Sequence, residues 1–114
     1  MPEVWVVNAS PIITLAKAGH LDLLTELADD VLLPDAVVNE ILQAPVSDLA
    51  RRIVEQGWGQ RVSVVDIPVM VLEWGLGAGE TAVIAVAVER GECTAVLDDA
   101  QGRKCARAIG LPVI

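Results

Sequence analysis

A parallel β-sheet held between two layers of helices is the fold this sequence predicts, and three observations predict it. Short, almost unbroken aliphatic runs recur along the chain, as expected of strands covered on both faces. Each run is followed by a segment with helical spacing of apolar residues and its own start and stop signals. Finally, 114 residues with no composition shift, repeat or linker fit one domain. The expected architecture is a three-layer α/β/α sandwich over residues 1–114 with a central parallel sheet of about five strands.

The elements follow in order. Val4–Val7 is the first aliphatic run, and it stops at Asn8. Ser10 and Pro11 form a helix-start pair, Ser as N-cap and Pro at the first helical position. A helix is therefore expected over 12–18, closed by Gly19. A short helix over 21–27 ends at Asp29 and Asp30, and 31–33 forms a second strand stopped by Pro34. Asp35 can cap a helix that carries Val37, Val38, Ile41 and Leu42 on one face and ends at Pro45. Ser47 opens another amphipathic stretch through Leu49, Ile53 and Val54 to Gly57. The third strand is expected over 62–67. An irregular segment from Pro68 to Gly79 leads into a helix over 80–89, ended by Gly91. A fourth strand over 94–97, a helix over 100–109 and a fifth strand over 112–114 complete the chain.

Composition narrows the function. Hydrophobic residues make up 54% and charged residues 21%, so the chain collapses around a core. With no Phe or Tyr and only Trp5, Trp58 and Trp74, it lacks the exposed rings on which RRM or single-strand OB platforms stack bases. Eight Lys and Arg stand against 16 Asp and Glu, a formal charge of −8. An acidic body repels a polyanion, so any nucleic-acid contact rests on a local basic patch or on bound cations. Cys93 and Cys105 have neither zinc-ligand spacing nor further partners. The single His20 lies in a helix–helix turn, which offers no Ser-His-Asp or Cys-His arrangement. No signal-peptide pattern and no run of roughly 20 apolar residues is present, so a reducing cytoplasm and no membrane contact are expected.

Parallel α/β sheets bind ligands beyond the carboxyl ends of their strands, which directs attention to Asn8, Asp98 and Asp99. Adjacent carboxylates leaving a buried strand repel each other, and a hard divalent cation relieves that cost. The plainer alternative is that Asp99 caps the next helix and Asp98 faces solvent. Glu80 shifts the balance: Val83, Ile84 and Ala87 follow at i+3, i+4 and i+7, so Glu80 heads a stripe facing the sheet. A carboxylate there is costly unless paired, although with Gly77 as N-cap it can equally be the acid of a weak capping box. Gly77 and Gly79 permit close backbone approach but form no phosphate loop, since no Lys-Ser/Thr follows. Glu40 sits on the flank of its helix stripe. Together these oxygens can surround one or two magnesium ions, with Ser10 adding a hydroxyl if it is not consumed as a cap. Arg103, Lys104 and Arg107 share a helix face beside the paired acids, either as phosphate contacts or as an ordinary solvated face.

VVNASPIITLAKAGHLDLL, LLPDAVVNEIL, GLGAGETAVIAVAVERG and AVLDDAQGRKCARAIGLPVI, in this order, resemble a PIN domain. They are similar to a prokaryotic PIN-like subfamily that opens with an (Asn/Asp)-x-Ser-Pro-Leu/Ile stretch, related to the VapC-type toxins. The resemblance covers nearly the whole chain. It implies a Mg²⁺- or Mn²⁺-dependent endoribonuclease with RNA as substrate, of the kind found as the toxin of a toxin–antitoxin pair. It also implies an acidic cluster at the carboxyl edge of the sheet. By position, the first-strand acid of PIN domains falls on Asn8, and the others on Glu40, Glu80 and Asp98, with Asp99 beside the last.

Two departures stand out. Asn8 offers an amide oxygen but no charge, and the chain ends at the fifth strand, where relatives continue into a further helix. The second departure predicts an apolar edge at Leu111–Ile114 covered by a second copy of the chain, as a homodimer, or by an antitoxin-like partner. The leading reading is a metal-dependent nuclease with Glu40, Glu80 and Asp98 as catalytic carboxylates, Asn8 and Asp99 as auxiliary ligands, and Arg103, Lys104 and Arg107 on phosphates. The alternative keeps the fold without the chemistry, as a non-catalytic nucleic-acid-binding or protein-interaction module. A phosphoacceptor receiver domain shares the sheet plan but clusters acids after its first strand, where this chain has Asn8.

Overall fold

A computed structural model of the chain describes residues 2–64 and 66–114. Four parallel strands, β1 (Val4–Val7), β2 (Asp30–Pro34), β3 (Gln60–Val62) and β4 (Cys93–Val96), lie in the order β3-β2-β1-β4. Val4 stands opposite both Asp30 and Cys93, and Pro34 stands opposite Val62. Trp5, Val6 and Val7 are all buried. Because successive strand residues face opposite sides, helices must cover both faces, and the chain is the three-layer sandwich expected of it.

The helices are α1 (Ala9–Ala18), α2 (Asp22–Leu27), α3 (Asp35–Leu42), α4 (Leu49–Glu55), α5 (Val69–Leu72), α6 (Ala78–Arg90) and α7 (Ala100–Ala108). Helix α6 is the central one. Residues 81–87 are buried without a break, and the helix packs against β4, β1 and β2 as well as α3, α5 and α7. An apolar helix covered on nearly all sides is a core element. Burying each Val or Ile of that run is worth about 1.5–3 kcal/mol relative to exposure. Cys93 and Cys105 are buried and unbridged, and desolvation pushes both thiols above their ordinary range.

Several boundaries differ from expectation, each for a physical reason. Among the described residues the sheet has four strands rather than five. Residues 112–114 run parallel to β4 but form a single bridge, Ala95 to Val113. Ala95 N–H donates to Pro112 O, and Ile114 N–H donates to Ala95 O, both at 2.9 Å. Pro112 has no N–H to extend that ladder. Strand β3 begins earlier than the 62–67 expected. As an edge strand paired only with β2, it needs no continuous apolar run, and its Gln60 and Arg61 are exposed. Val65, inside the expected stretch, lies outside the described residues, as does Met1.

The segment 68–79 is not wholly irregular, since it contains α5. Helix α1 starts at Ala9, so Asn8 is the N-cap and Ser10 is already helical. The Ser-Pro start signal is real but lies two residues further into the helix than expected, because Pro is tolerated throughout the first helical turn, where N–H groups have no helical partner. Asp35 is the first residue of α3, with Pro34 at the cap position.

The C-terminal apolar edge is only partly open, with Ile114 exposed and Leu111 and Val113 half-buried. Greater apolar exposure surrounds α5, at Ile67, Val69, Met70, Leu72 and Trp74. Among the described residues no helix is long and apolar enough to cross a membrane.

Candidate active site

The chain leaves β1 for β2 on one side and comes back through α6 to β4 on the other, so the strand order reverses between β1 and β4. Such a switch point opens a crevice at the carboxyl ends of the two strands. Asn8 follows β1 directly, and its backbone N–H donates to Val96 O at 3.1 Å. Although Asn8 is the N-cap of α1, its side chain makes no capping bond. Its Nδ2 instead donates to Glu80 Oε1 at 3.1 Å. The residue is 3% exposed, and Oδ1 is buried without a hydrogen-bond partner. A buried acceptor left unpaired costs about 1–3 kcal/mol, and such groups in native proteins call for an explanation, an ion or water among them.

Glu80 arrives on the first turn of α6, half-buried above the run of buried residues that anchors the helix. Glu40 comes from the last turn of α3, which packs against α6, and it is exposed. Asn8 and Glu40 flank Gly79, and Glu80 flanks Gly77. A Cβ at Gly79 would stand 2.8 Å from Asn8 Oδ1 and 3.4 Å from Glu40 Oε1. A Cβ at Gly77 would stand 2.6 Å from Glu80 Oε2.

Asp98 and Asp99 follow β4 and part company. Asp98 accepts a hydrogen bond from Ser10 Oγ at 2.6 Å. Asp99 is the N-cap of α7, its Oδ2 accepting from Gly102 N–H at 2.8 Å. Gly102 also brings Asp99 near the cluster, since a Cβ there would lie 3.5 Å from both Asp99 Oδ2 and Glu80 Cγ. Of the basic residues on α7, Arg103 donates through Nη1 to Leu97 O at 2.9 Å and is half-buried, whereas Lys104 and Arg107 are exposed.

Asn8, Glu40 and Glu80 thus share one space, Asp99 borders Glu80, and Asp98 is tied to Ser10. Among the described residues no three Asp, Glu, His or Cys side chains gather closely enough to hold a metal ion. The third oxygen beside Glu40 and Glu80 belongs to the neutral Asn8. One further carboxylate at this edge, expected from sequence only as a helix cap, has partners of its own. Asp35 pairs with Arg61 and accepts from Ser63 Oγ at 2.7 Å. Those hydrogen bonds, Arg61 first, hold its carboxyl below the usual carboxylate range. Its partners lie 26 and 28 residues away in sequence, so no local pattern announces them.

Residues 4–114 match the family model described as DUF3368, PIN domain. The chain belongs to the PIN-domain family. Its fold is similar to that of the PIN domain endonuclease Utp24, with a TM-score of 0.68 and 16% identity over 98% of this chain and 84% of that one. It is similar also to PAE2754 from Pyrobaculum aerophilum, with a TM-score of 0.67 and 14% identity over 97% and 83% of the two chains. No curated protein matches the sequence significantly. At these identities the two solved structures speak for the PIN fold, and the chemistry rests on this chain's own residues. In this PIN domain the site differs from an all-acid cluster in one respect, the amide at position 8.

Proposed function

We propose that this PIN domain is a metal-dependent endoribonuclease whose ion is Mg²⁺ or Mn²⁺. One observation carries the proposal: a 3% exposed amide aims an unpaired oxygen into a space bordered by Glu40 and Gly79 while its nitrogen holds Glu80. Carboxylate and amide oxygens are the donors that hard divalent cations prefer. Asn8, Glu40 and Glu80 would hold the ion, with Asp98 and Asp99 at the border. Bound there, it would supply charge neutralisation to a phosphodiester and a more acidic water for in-line attack.

The chain's own residues have separable tasks. Asn8 orients Glu80, and Ser10 orients Asp98 through its hydroxyl. Arg103 bonds the residue that follows β4, and Lys104 and Arg107, on the same helix, are exposed and free to meet phosphates. Local positive charge of this kind is what an acidic protein needs to accept RNA. Within the same proposal the protein is cytoplasmic and the toxin of a toxin–antitoxin pair. The exposed apolar side chains around α5 would receive a second copy or the antitoxin.

The second reading, a non-catalytic module, is favoured by the absence of a three-carboxylate cluster among the described residues. Cleavage of end-labelled single-stranded RNA separates the two. With millimolar Mn²⁺ the wild-type chain is expected to cut, and Glu80→Ala to lose roughly 100-fold or more of that activity. No cleavage by either protein leaves the module, and equal cleavage by both overturns the role given to Glu80.

A further inference from the structure

Two glycines lie beside the acid cluster, and of them only Gly77, the N-cap of α6, has a backbone reason to be glycine. Neither Gly77 nor Gly79 lies in the positive-φ region, and Gly79 falls inside the first turn of α6, where Ala is the better helix former. What distinguishes the positions is space. A methyl at 79 would overlap Asn8 Oδ1 at 2.8 Å and crowd Glu40 Oε1 at 3.4 Å. Asn8 cannot easily turn aside, because it is buried and its other amide atom is bonded to Glu80. At 77 the conflict, at 2.6 Å, is with Glu80 Oε2, the far end of a half-buried and more mobile side chain. At Gly102 a methyl would meet Glu80 Cγ at 3.5 Å, ordinary van der Waals contact.

We propose that Gly79 is a positioning residue for the cation site: its missing Cβ keeps open the space between Asn8 Oδ1 and Glu40 Oε1 that the ion would occupy. Gly77 does the same, more weakly, for the second oxygen of Glu80. The inference rests on the metal-dependent reading and goes beyond it, because it assigns a role to residues that supply no ligand atom. It also explains why a helix so fully buried carries a poor helix former in its first turn.

The test compares Mn²⁺ binding to the wild-type chain, Gly79→Ala, Gly77→Ala and Gly102→Ala. Binding is read by the loss of the free-ion electron paramagnetic resonance signal and by the rise in melting temperature with added Mn²⁺. Far-UV circular dichroism first establishes that each variant is folded. Gly79→Ala is expected to weaken Mn²⁺ binding roughly tenfold or more, Gly77→Ala about threefold, and Gly102→Ala less than about twofold. A folded Gly79→Ala that binds Mn²⁺ like the wild type overturns the role of Gly79 and leaves the metal reading standing. A wild-type chain that takes up no Mn²⁺ overturns the metal reading itself. Should Gly79→Ala not fold, Gly77→Ala decides: weakened binding supports the proposal, and wild-type binding overturns it.

Discussion

Asp35 and Asn8 follow neighbouring parallel strands, and their side chains meet opposite fates. Asp35 is a charged group on the surface with every need met: Arg61 and Ser63 both donate to it, and the cluster is complete within the chain. Asn8 is neutral and buried, yet half of its amide is left without a partner beside Glu40 and Gly79. The contrast shows why counting acids is a poor guide to a site. A carboxylate with a full set of partners contributes to structure, whereas an acceptor buried without one points to something the fold holds room for.

The strongest way to break that contrast is to give Asn8 a charge. Asn8→Asp replaces the donor facing Glu80 with a second carboxylate oxygen and leaves a buried charge uncompensated. Such a change is expected to destabilise the chain by about 3–5 kcal/mol in metal-free buffer, as measured by urea unfolding. Mn²⁺ at about 100 times its dissociation constant should return roughly 2.7 kcal/mol. An Asn8→Asp chain as stable as the wild type without metal would mean that position 8 is not enclosed as described.

A smaller effect sharpens the comparison within the adjacent acids. Asp99→Ala removes the cap of α7 and should cost about 1 kcal/mol of stability. Asp98→Ala, which among the described residues loses only the Ser10 hydroxyl as a partner, should unfold within about 0.5 kcal/mol of the wild type while losing RNA cleavage. If Asp98→Ala keeps full cleavage and Asp99→Ala does not, the roles given to the two are reversed.

The smallest effect belongs to the satisfied partner in the comparison. Because Arg61 and Ser63 lower the Asp35 carboxyl, their stabilisation is present above the ordinary carboxylate pKa and is lost as pH falls through the lowered value. Asp35→Asn should therefore lower the melting temperature slightly at pH 7, and the difference should vanish in strong acid. The pair is exposed, so the change at neutral pH is small. A difference that grows as the solution is acidified would contradict the assignment.

The layered fold was legible in the sequence because a doubly covered parallel strand writes itself as a bare aliphatic run, as Val4–Val7 does. Edge elements do not. Strand β3 carries exposed Gln60 and Arg61, and the pairing of residues 112–114 is limited by Pro112, so both were misjudged in extent. Within the site, Glu80 was legible as an acid heading an apolar stripe, and Asp99 as a cap was one of two readings open from sequence. The sequence leaves Ser10 open as a cap or as a hydroxyl of the site, and its hydroxyl is used by Asp98, 88 residues later. The partners of Asp35 and the space at Gly79 were not legible, since both are fixed by contacts between segments distant in sequence.

The central claim is that the unpaired Asn8 oxygen marks a cation site and the paired Asp35 does not. Calorimetric titration of Mn²⁺ into the wild-type chain, Asn8→Ala and Asp35→Ala tests it most directly. The account predicts one site in the wild type, kept in Asp35→Ala and lost in Asn8→Ala. No heat from the wild type at millimolar Mn²⁺, or binding unaffected by Asn8→Ala, would contradict it.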